Sequence, residues 1–349
     1  MIRDVKIVEK SNNILLGNEK SLSALVKNFN TEIIPHSLIM CGPKGIGKAS
    51  FALNFAKMLL SNEQFISSEQ IRILEKNSQL ETSIFNCKKE YDDIAKKYKT
   101  VINIQQIRDL KEFFSLSQAQ NNWRIAIIDA AEDMNESSTN ALLKVLEEPP
   151  EKSIIILISH NYSSLKSTIK SRCQKIHFKP LENSEIFDLL EGHTADSEER
   201  NLIASLSEGL PAMALQLASS NYLKTYKQLI EIFSNLPKPI ETMIFDFITS
   251  HKFESEEESG LELPDLLLIL VKRLAVSNLI EEELFPNLFE QSFFDKFSFS
   301  NNSIVDLSTF YLDLEHIIVE GRKVNIDKSD LSLNCLLKAK TFFKGIVCP

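Results

Sequence analysis

The sequence predicts an α/β fold in its first half, a parallel sheet with helices on both faces, followed by an all-helical remainder. Apolar strands alternate with amphipathic helices up to about residue 179, the pattern of a sheet covered on both sides. The strands are continuous apolar runs rich in Ile, as expected where both faces of a strand are buried. From Pro180 onward every readable period is helical.

Residues 36–41 read as a strand that runs into Gly42-Pro43-Lys44-Gly45-Ile46-Gly47-Lys48. The next helix carries Phe51, Phe55 and Leu59 at i, i+4 and i+8, enough for one buried face. Residues 61–99 are polar, lysine-rich and poorly periodic, and read as an insertion or long connection. Residues 124–128 form a second strand, and Asn135 is a plausible cap for the helix that follows. Pro149 and Pro150 end that helix and push Glu148 out of the helical region. Residues 154–158 give a third strand. Residues 182–190 and 197–217 are helical, as is everything beyond about Asn221 except the acidic stretch 254–258, which reads as a solvated loop. The expected division is 1–179, 180–222 and 223–349.

Composition narrows the class. The chain has 349 residues, long enough for two or three domains with buried cores. Its net charge of -9 argues against a protein that grips DNA with its own surface, which needs clustered Lys and Arg. The N-terminus is charged early and lacks a signal-peptide core, and the longest apolar run, 266–271, is too short to span a bilayer. Five scattered cysteines (41, 87, 173, 335 and 348) without a CxxC pair read as reduced thiols of a cytosolic protein.

Three motifs carry chemistry. Gly42 and Gly47 bracket the four residues of GxxxxGK, between a strand and a helix, where inward N–H groups form a site for phosphates. Lys48 adds a point charge for the β- and γ-phosphates. Ala49 stands where a hydroxyl would bind magnesium, and Ser50 is displaced about 100° around the helix. Nucleotide held without efficient turnover, a relic loop that only packs, and true catalysis all remain open for this loop. Asp129 ends the second strand, placed to hold magnesium through water or simply to cap the turn. Ala130 lacks the carboxylate that would polarise an attacking water, and Glu132 and Asp133 are out of register with it. Glu147 and Glu148 lie at the negative end of their helix, which hints at a positive group outside it, although exposed charge without a role explains them equally. Arg172, in Ser171-Arg172-Cys173, is a surface ion-pair residue or a functional arginine. Cys173 reads as a packing residue.

The ordered set Gly42 to Ala49, Ile104 to Phe114, Trp123 to Asn135, Asn140 to Pro150, Ser171-Arg172-Cys173 and Asn325 to Lys328 resembles bacterial clamp-loader AAA+ subunits, and within them the delta-prime type of DNA polymerase III. The resemblance covers residues 14–220 well and the last third weakly. It implies an AAA+ ATPase-like domain (1–179), a small helical lid (180–222) and a helical collar domain for ring assembly (223–349). It implies that Arg172 acts in trans on ATP held by a neighbouring motor subunit. Gly42, Pro43, Lys44, Gly45, Ile46, Gly47, Lys48, Ala49 and Asp129 are then the positions of the chain's own nucleotide site. The site is expected to bind ATP, if at all, without efficient hydrolysis, and to hold magnesium weakly or not at all. Motor members carry a hydroxyl after the loop lysine, a Glu after the strand Asp and a lid arginine, whereas this chain has Ala49, Ala130 and the arginine-free Gly209 to Met213. Many members hold a four-cysteine zinc module where this chain has only Cys87, so zinc is not expected. Ser159-His160-Asn161 falls where the family senses the γ-phosphate, and an ordinary turn explains it as well. The implied partners are gamma/tau motor subunits and a delta subunit and, through the complex, the sliding clamp and primed DNA, with no membrane. A motor-type ATPase of the same fold and a regulatory nucleotide sensor are the alternatives.

Overall fold

The computed structural model describes residues 35–61, 84–88, 91–92, 97–98, 101–115, 123–194, 196–219, 221–250, 261–277, 288–297 and 301–347. The N-terminal segment, the acidic stretch 254–258 and most of 61–99 lie outside the described residues. The chain divides into two compact units, Met1–Glu185 with Leu210–Ala212, and Ile186–Gly209 with Met213–Pro349.

The first unit is built on a five-stranded parallel sheet. Strands β1 (Ser37–Cys41), β2 (Ile84–Lys88), β5 (Arg124–Asp129), β6 (Ser153–Ser159) and β7 (Gln174–His177) lie in the order β2-β5-β6-β1-β7. Two further pieces, β3 (Tyr91–Asp92) and β4 (Lys97–Tyr98), pair antiparallel as a separate two-stranded sheet. The three strands read from sequence are the central ones, and every residue of β1 and β6 is buried. Consecutive residues alternate between two cores. Leu38, Met40, Ile154, Ile156 and Ile158 pack with Phe51, Phe55 and Leu59 of helix α1 (Lys48–Ser61). Ile39, Cys41, Ile155 and Leu157 pack instead with α2 (Ile104–Ser115) and α3 (Glu136–Glu147). Two apolar cores explain why these strands show no polar alternation in sequence.

The unpatterned stretch 61–99 contains one sheet strand, β2, which pairs with β5 from Ile84↔Ile125 to Lys88↔Asp129. It is a short edge strand, IFNCK, so it carries no long apolar run. The other edge, β7, buries only Ile176 of its four residues. Both edges are therefore nearly silent to a pattern reading. A short helix, α4 (Ser167–Lys170), leads into β7.

The second unit is helical among its described residues. It continues α5 (Asn183–Leu189) and contains α6 (Ser197–Leu206), the remainder of α7 (Pro211–Ser219), α8 (Tyr222–Ser234), α9 (Glu241–Ser250), α10 (Leu263–Ser277), α11 (Leu288–Lys296), α12 (Asn301–Lys323) and α13 (Lys328–Val347). The expected helical stretch 197–217 is split. Glu208 and Gly209 take positive φ, 50° and 75°, and Pro211 opens the next helix. A buried network ties four helices: Arg273 donates to both carboxylate oxygens of Glu290 (2.8 and 2.5 Å) and to Ser205, and the Tyr226 hydroxyl donates to Glu290. Phe233, Phe293, Phe297 and Phe343 are buried and pack against one another in the same unit. Among the described residues no helix is long and apolar enough to cross a membrane.

Candidate functional site

Sheet order brings the predicted residues together. The phosphate loop follows β1, Asp129 ends β5 and His160 follows β6, and these three strands are adjacent. All are parallel, so the three groups share the carboxyl edge of the sheet, where α/β folds bind ligands.

The loop is shaped by its glycines. Gly42 sits where an added Cβ would meet the Phe178 carbonyl oxygen at 2.5 Å, and Gly45 and Gly47 adopt φ of 85° and 92°. Cys41 is held on the far side by the Phe178 N–H, which donates to its carbonyl at 2.8 Å. The Ala212 N–H, at the start of α7, donates to the Gly45 carbonyl at 3.0 Å. Lys48 is the surprise: its ammonium donates to the carbonyls of Gly42 and Pro43, each at 2.7 Å, and the residue is 3% exposed. The lysine is folded onto its own loop rather than presented to a ligand. Burial lowers its pKa from 10.5 to about 8, against the opposing pull of Asp129 and Glu132. Ala49 and Ser50 are both exposed, and neither supplies a hydroxyl at the magnesium position.

The acidic side is equally self-contained. Burial raises the Asp129 pKa, with His160 and Lys48 acting against it. His160 Nε2 lies 3.9 Å from Asp129 Oδ1, and burial together with Lys48 lowers the imidazole pKa. Ala130 is buried, which leaves little room for a carboxylate at that position. Glu132, out of register for a catalytic base, has a different partner. Its Oε1 accepts the N–H groups of His160 (2.7 Å) and Asn161 (3.2 Å) and so ties the end of β5 to the end of β6. Its Oε2 and the Ser159 hydroxyl are buried without a hydrogen-bond partner. The positive-φ glycines and the start of α1 fit a phosphate group. The donor set does not fit a magnesium ion of the catalytic kind, since Ala49 and Ala130 contribute no oxygen.

Arg172 lies elsewhere, on the turn between α4 and β7. Its NH2 donates to Glu147 Oε1 at 2.6 Å, and its NH1 donates to the Thr168 carbonyl (3.0 Å) and to Ser171 Oγ (3.3 Å). Both side chains of the ion pair remain partly exposed, 35% for Arg172 and 50% for Glu147. The positive group that the end of α3 called for is thus Arg172, 25 positions further along the chain. Asn135 caps the other end of α3, its Oδ1 accepting the Ser138 N–H at 2.8 Å. Cys173 is half-buried, with burial pushing its thiol up to about 11, as for a packing residue and not a nucleophile.

A phosphate loop, a strand-end aspartate and a five-stranded parallel sheet define a P-loop protein of the AAA+ class. Residues 17–182 match the family described as "DNA polymerase III, delta subunit". DNA polymerase III subunit tau of Escherichia coli is 30% identical over 210 residues, 58% of this chain and 32% of that one. DNA polymerase III subunit delta' of Bacillus subtilis is 25% identical over 281 residues, 76% of this chain and 82% of that one. Replication factor C subunit 5 of Homo sapiens is 25% identical over 345 residues, 95% of this chain and 91% of that one. Over residues 17–182 the chain is similar to the clamp-loader AAA+ subunits. It spans about a third of the tau relative and most of the other two.

Proposed function

We propose that this chain is a non-motor, stator-like subunit of a DNA polymerase III-type clamp loader. It joins gamma/tau-type motor subunits and a delta subunit in the cytoplasm and supports ATP-driven loading of a sliding clamp on primed DNA. Its Arg172 serves the ATP of the neighbouring motor subunit, where a guanidinium spreads over phosphate oxygens and neutralises charge as the bond to the γ-phosphate breaks. In this reading residues 1–179, 180–222 and 223–349 act as the ATPase-like domain, the lid and the collar.

The observation that carries the reading is the contrast between the two cations. Arg172 is partly exposed and paired with a half-exposed carboxylate, whereas Lys48 is buried on its own loop. Gly42, Pro43, Lys44, Gly45, Ile46, Gly47 and Lys48 form a cradle that fits ATP bound without efficient hydrolysis. Ala49 supplies no hydroxyl for magnesium, and Asp129 stands without a neighbouring base, which argues against a motor role for this chain.

The test is ATP turnover by a reconstituted loader with cognate motor and delta subunits, clamp and primed DNA. Arg172→Ala is expected to assemble normally and to slow hydrolysis at the site it serves about a thousandfold. A variant complex that turns over ATP like the wild type, or a wild-type chain that never joins the complex, overturns the reading.

A further inference from the structure

Arg172 is not free in this chain. Three of its guanidinium hydrogens are taken by groups of the same subunit: the Glu147 carboxylate, the Thr168 carbonyl and the Ser171 hydroxyl. The last two come from the turn that carries the arginine, so they travel with it. Glu147 does not. It is the final residue of α3, a separate element, and it supplies the only one of these three acceptors that bears a charge.

Its location is also unfavourable without a cation. The last carbonyls of a helix repel a carboxylate, and α3 has its cap and its favourable first-turn acid at the opposite end, Asn135 and Glu136. Arg172 relieves that repulsion and receives in return the partner that fixes its direction. An arginine that must reach phosphate oxygens on another subunit has to leave this carboxylate, exchanging one anion for another. The exchange is cheap, because both side chains are partly solvated and such pairs are weak.

We propose that Glu147 is a latch for Arg172. It is a positioning residue that holds the guanidinium back on its own subunit until a phosphate of a neighbouring nucleotide displaces it. The inference rests on the proposal that Arg172 acts in trans. A latch of this strength lowers the population of the extended arginine by roughly two- to fivefold, the range open to an exposed ion pair. Hydrolysis is therefore restrained where the subunit contact is loose, and unaffected where clamp and DNA press the subunits together and phosphate competes well.

The experiment compares wild type, Arg172→Ala, Glu147→Gln and Glu147→Asp in the reconstituted complex, with and without clamp and primed DNA. Circular dichroism melts verify that each subunit folds. Glu147→Gln keeps the shape and removes the charge. It should raise the unstimulated rate two- to fivefold and leave the rate with clamp and DNA unchanged, so that the stimulation ratio falls. Glu147→Asp, which keeps the charge, should lie between Gln and wild type. A mere helix-end contact would leave both rates and their ratio unmoved, and that result overturns the latch, as does a fall in the stimulated rate. Arg172→Ala separates the two ideas. If it abolishes stimulation while Glu147→Gln does nothing, the trans role stands and the latch fails. If Arg172→Ala matches the wild type, both fail.

Discussion

The phosphate loop and the Ser-Arg-Cys turn belong to the same unit and flank the same strand pair, β1 and β7, yet their cations are treated in opposite ways. Lys48 donates to the carbonyls of Gly42 and Pro43 and is almost fully enclosed. Arg172 sits at the surface with a carboxylate that water and ions can replace. The difference teaches that one unit can enclose the cation of one motif and leave the cation of another accessible. Ala49 and Ala130 put small apolar side chains where a hydroxyl and a carboxylate would stand, and the lysine bonds to the loop itself. The arginine turn bonds within the subunit as well, to Glu147, Thr168 and Ser171, but leaves its guanidinium partly exposed.

The largest effect that tests this contrast is the kinetic loss expected for Arg172→Ala. Next comes the hinge between the two regions, Gly42. Its φ of 155° and the 2.5 Å approach of the Phe178 oxygen leave no space for a Cβ. Phe178 follows β7 directly and its N–H holds Cys41, so Gly42→Ala strains the loop and the edge strand at once. We expect a loss of about 2 kcal/mol in urea unfolding, a typical cost for backbone strain combined with a core clash. A loss below a few tenths would mean that the two regions are not coupled through this contact.

Much of the frame was legible in the sequence, and the reasons are local. Continuous apolar runs marked β5 and β6, Asn135 marked the start of α3, and Pro149 its end, because each signal needs only neighbouring residues. The edge strands β2 and β7 were not legible, since Asn86 and Lys88 break the apolar run of one and the other buries one residue in four. The motif positions around the sheet edge were readable one by one, but their partners were not. Lys48 turning onto Gly42 and Pro43 depends on how the loop closes, and Glu132 capping His160 and Asn161 spans 28 and 29 positions. For Glu147 half of the answer was readable: a carboxylate at the wrong end of a helix calls for a cation, but only the fold names Arg172.

The enclosure of Lys48 has a pH signature. Its pKa near 8 in the folded chain lies below the ordinary 10.5, so between those values the unfolded chain binds more protons at this residue. Stability attributable to Lys48 must therefore rise as pH increases from about 8 toward 10.5, and stay flat below 8. Lys48→Met removes the titration along with the two hydrogen bonds. The difference in unfolding free energy between wild type and Lys48→Met should then widen in favour of wild type between pH 7.5 and pH 10. Parallel pH profiles would show that the lysine is solvated and free to meet a phosphate, and the contrast with Arg172 would collapse.

The smallest effect probes the turn side alone. Asn135 accepts the N–H of Ser138 and the hydroxyls of Ser137 and Ser138, which satisfies the first turn of α3. Replacing it by Ala leaves those donors to water or unpaired, and caps of this type are worth about 1 kcal/mol. Glu147 lies twelve residues beyond Asn135, about three turns away, beyond the range over which a cap acts. Asn135→Ala should thus lower stability by about 1 kcal/mol in urea unfolding and leave the ratio of stimulated to unstimulated ATP turnover of the complex unchanged. If that ratio moves as it does for Glu147→Gln, α3 as a whole sets the direction of Arg172, and the control assigned to one carboxylate belongs to the helix.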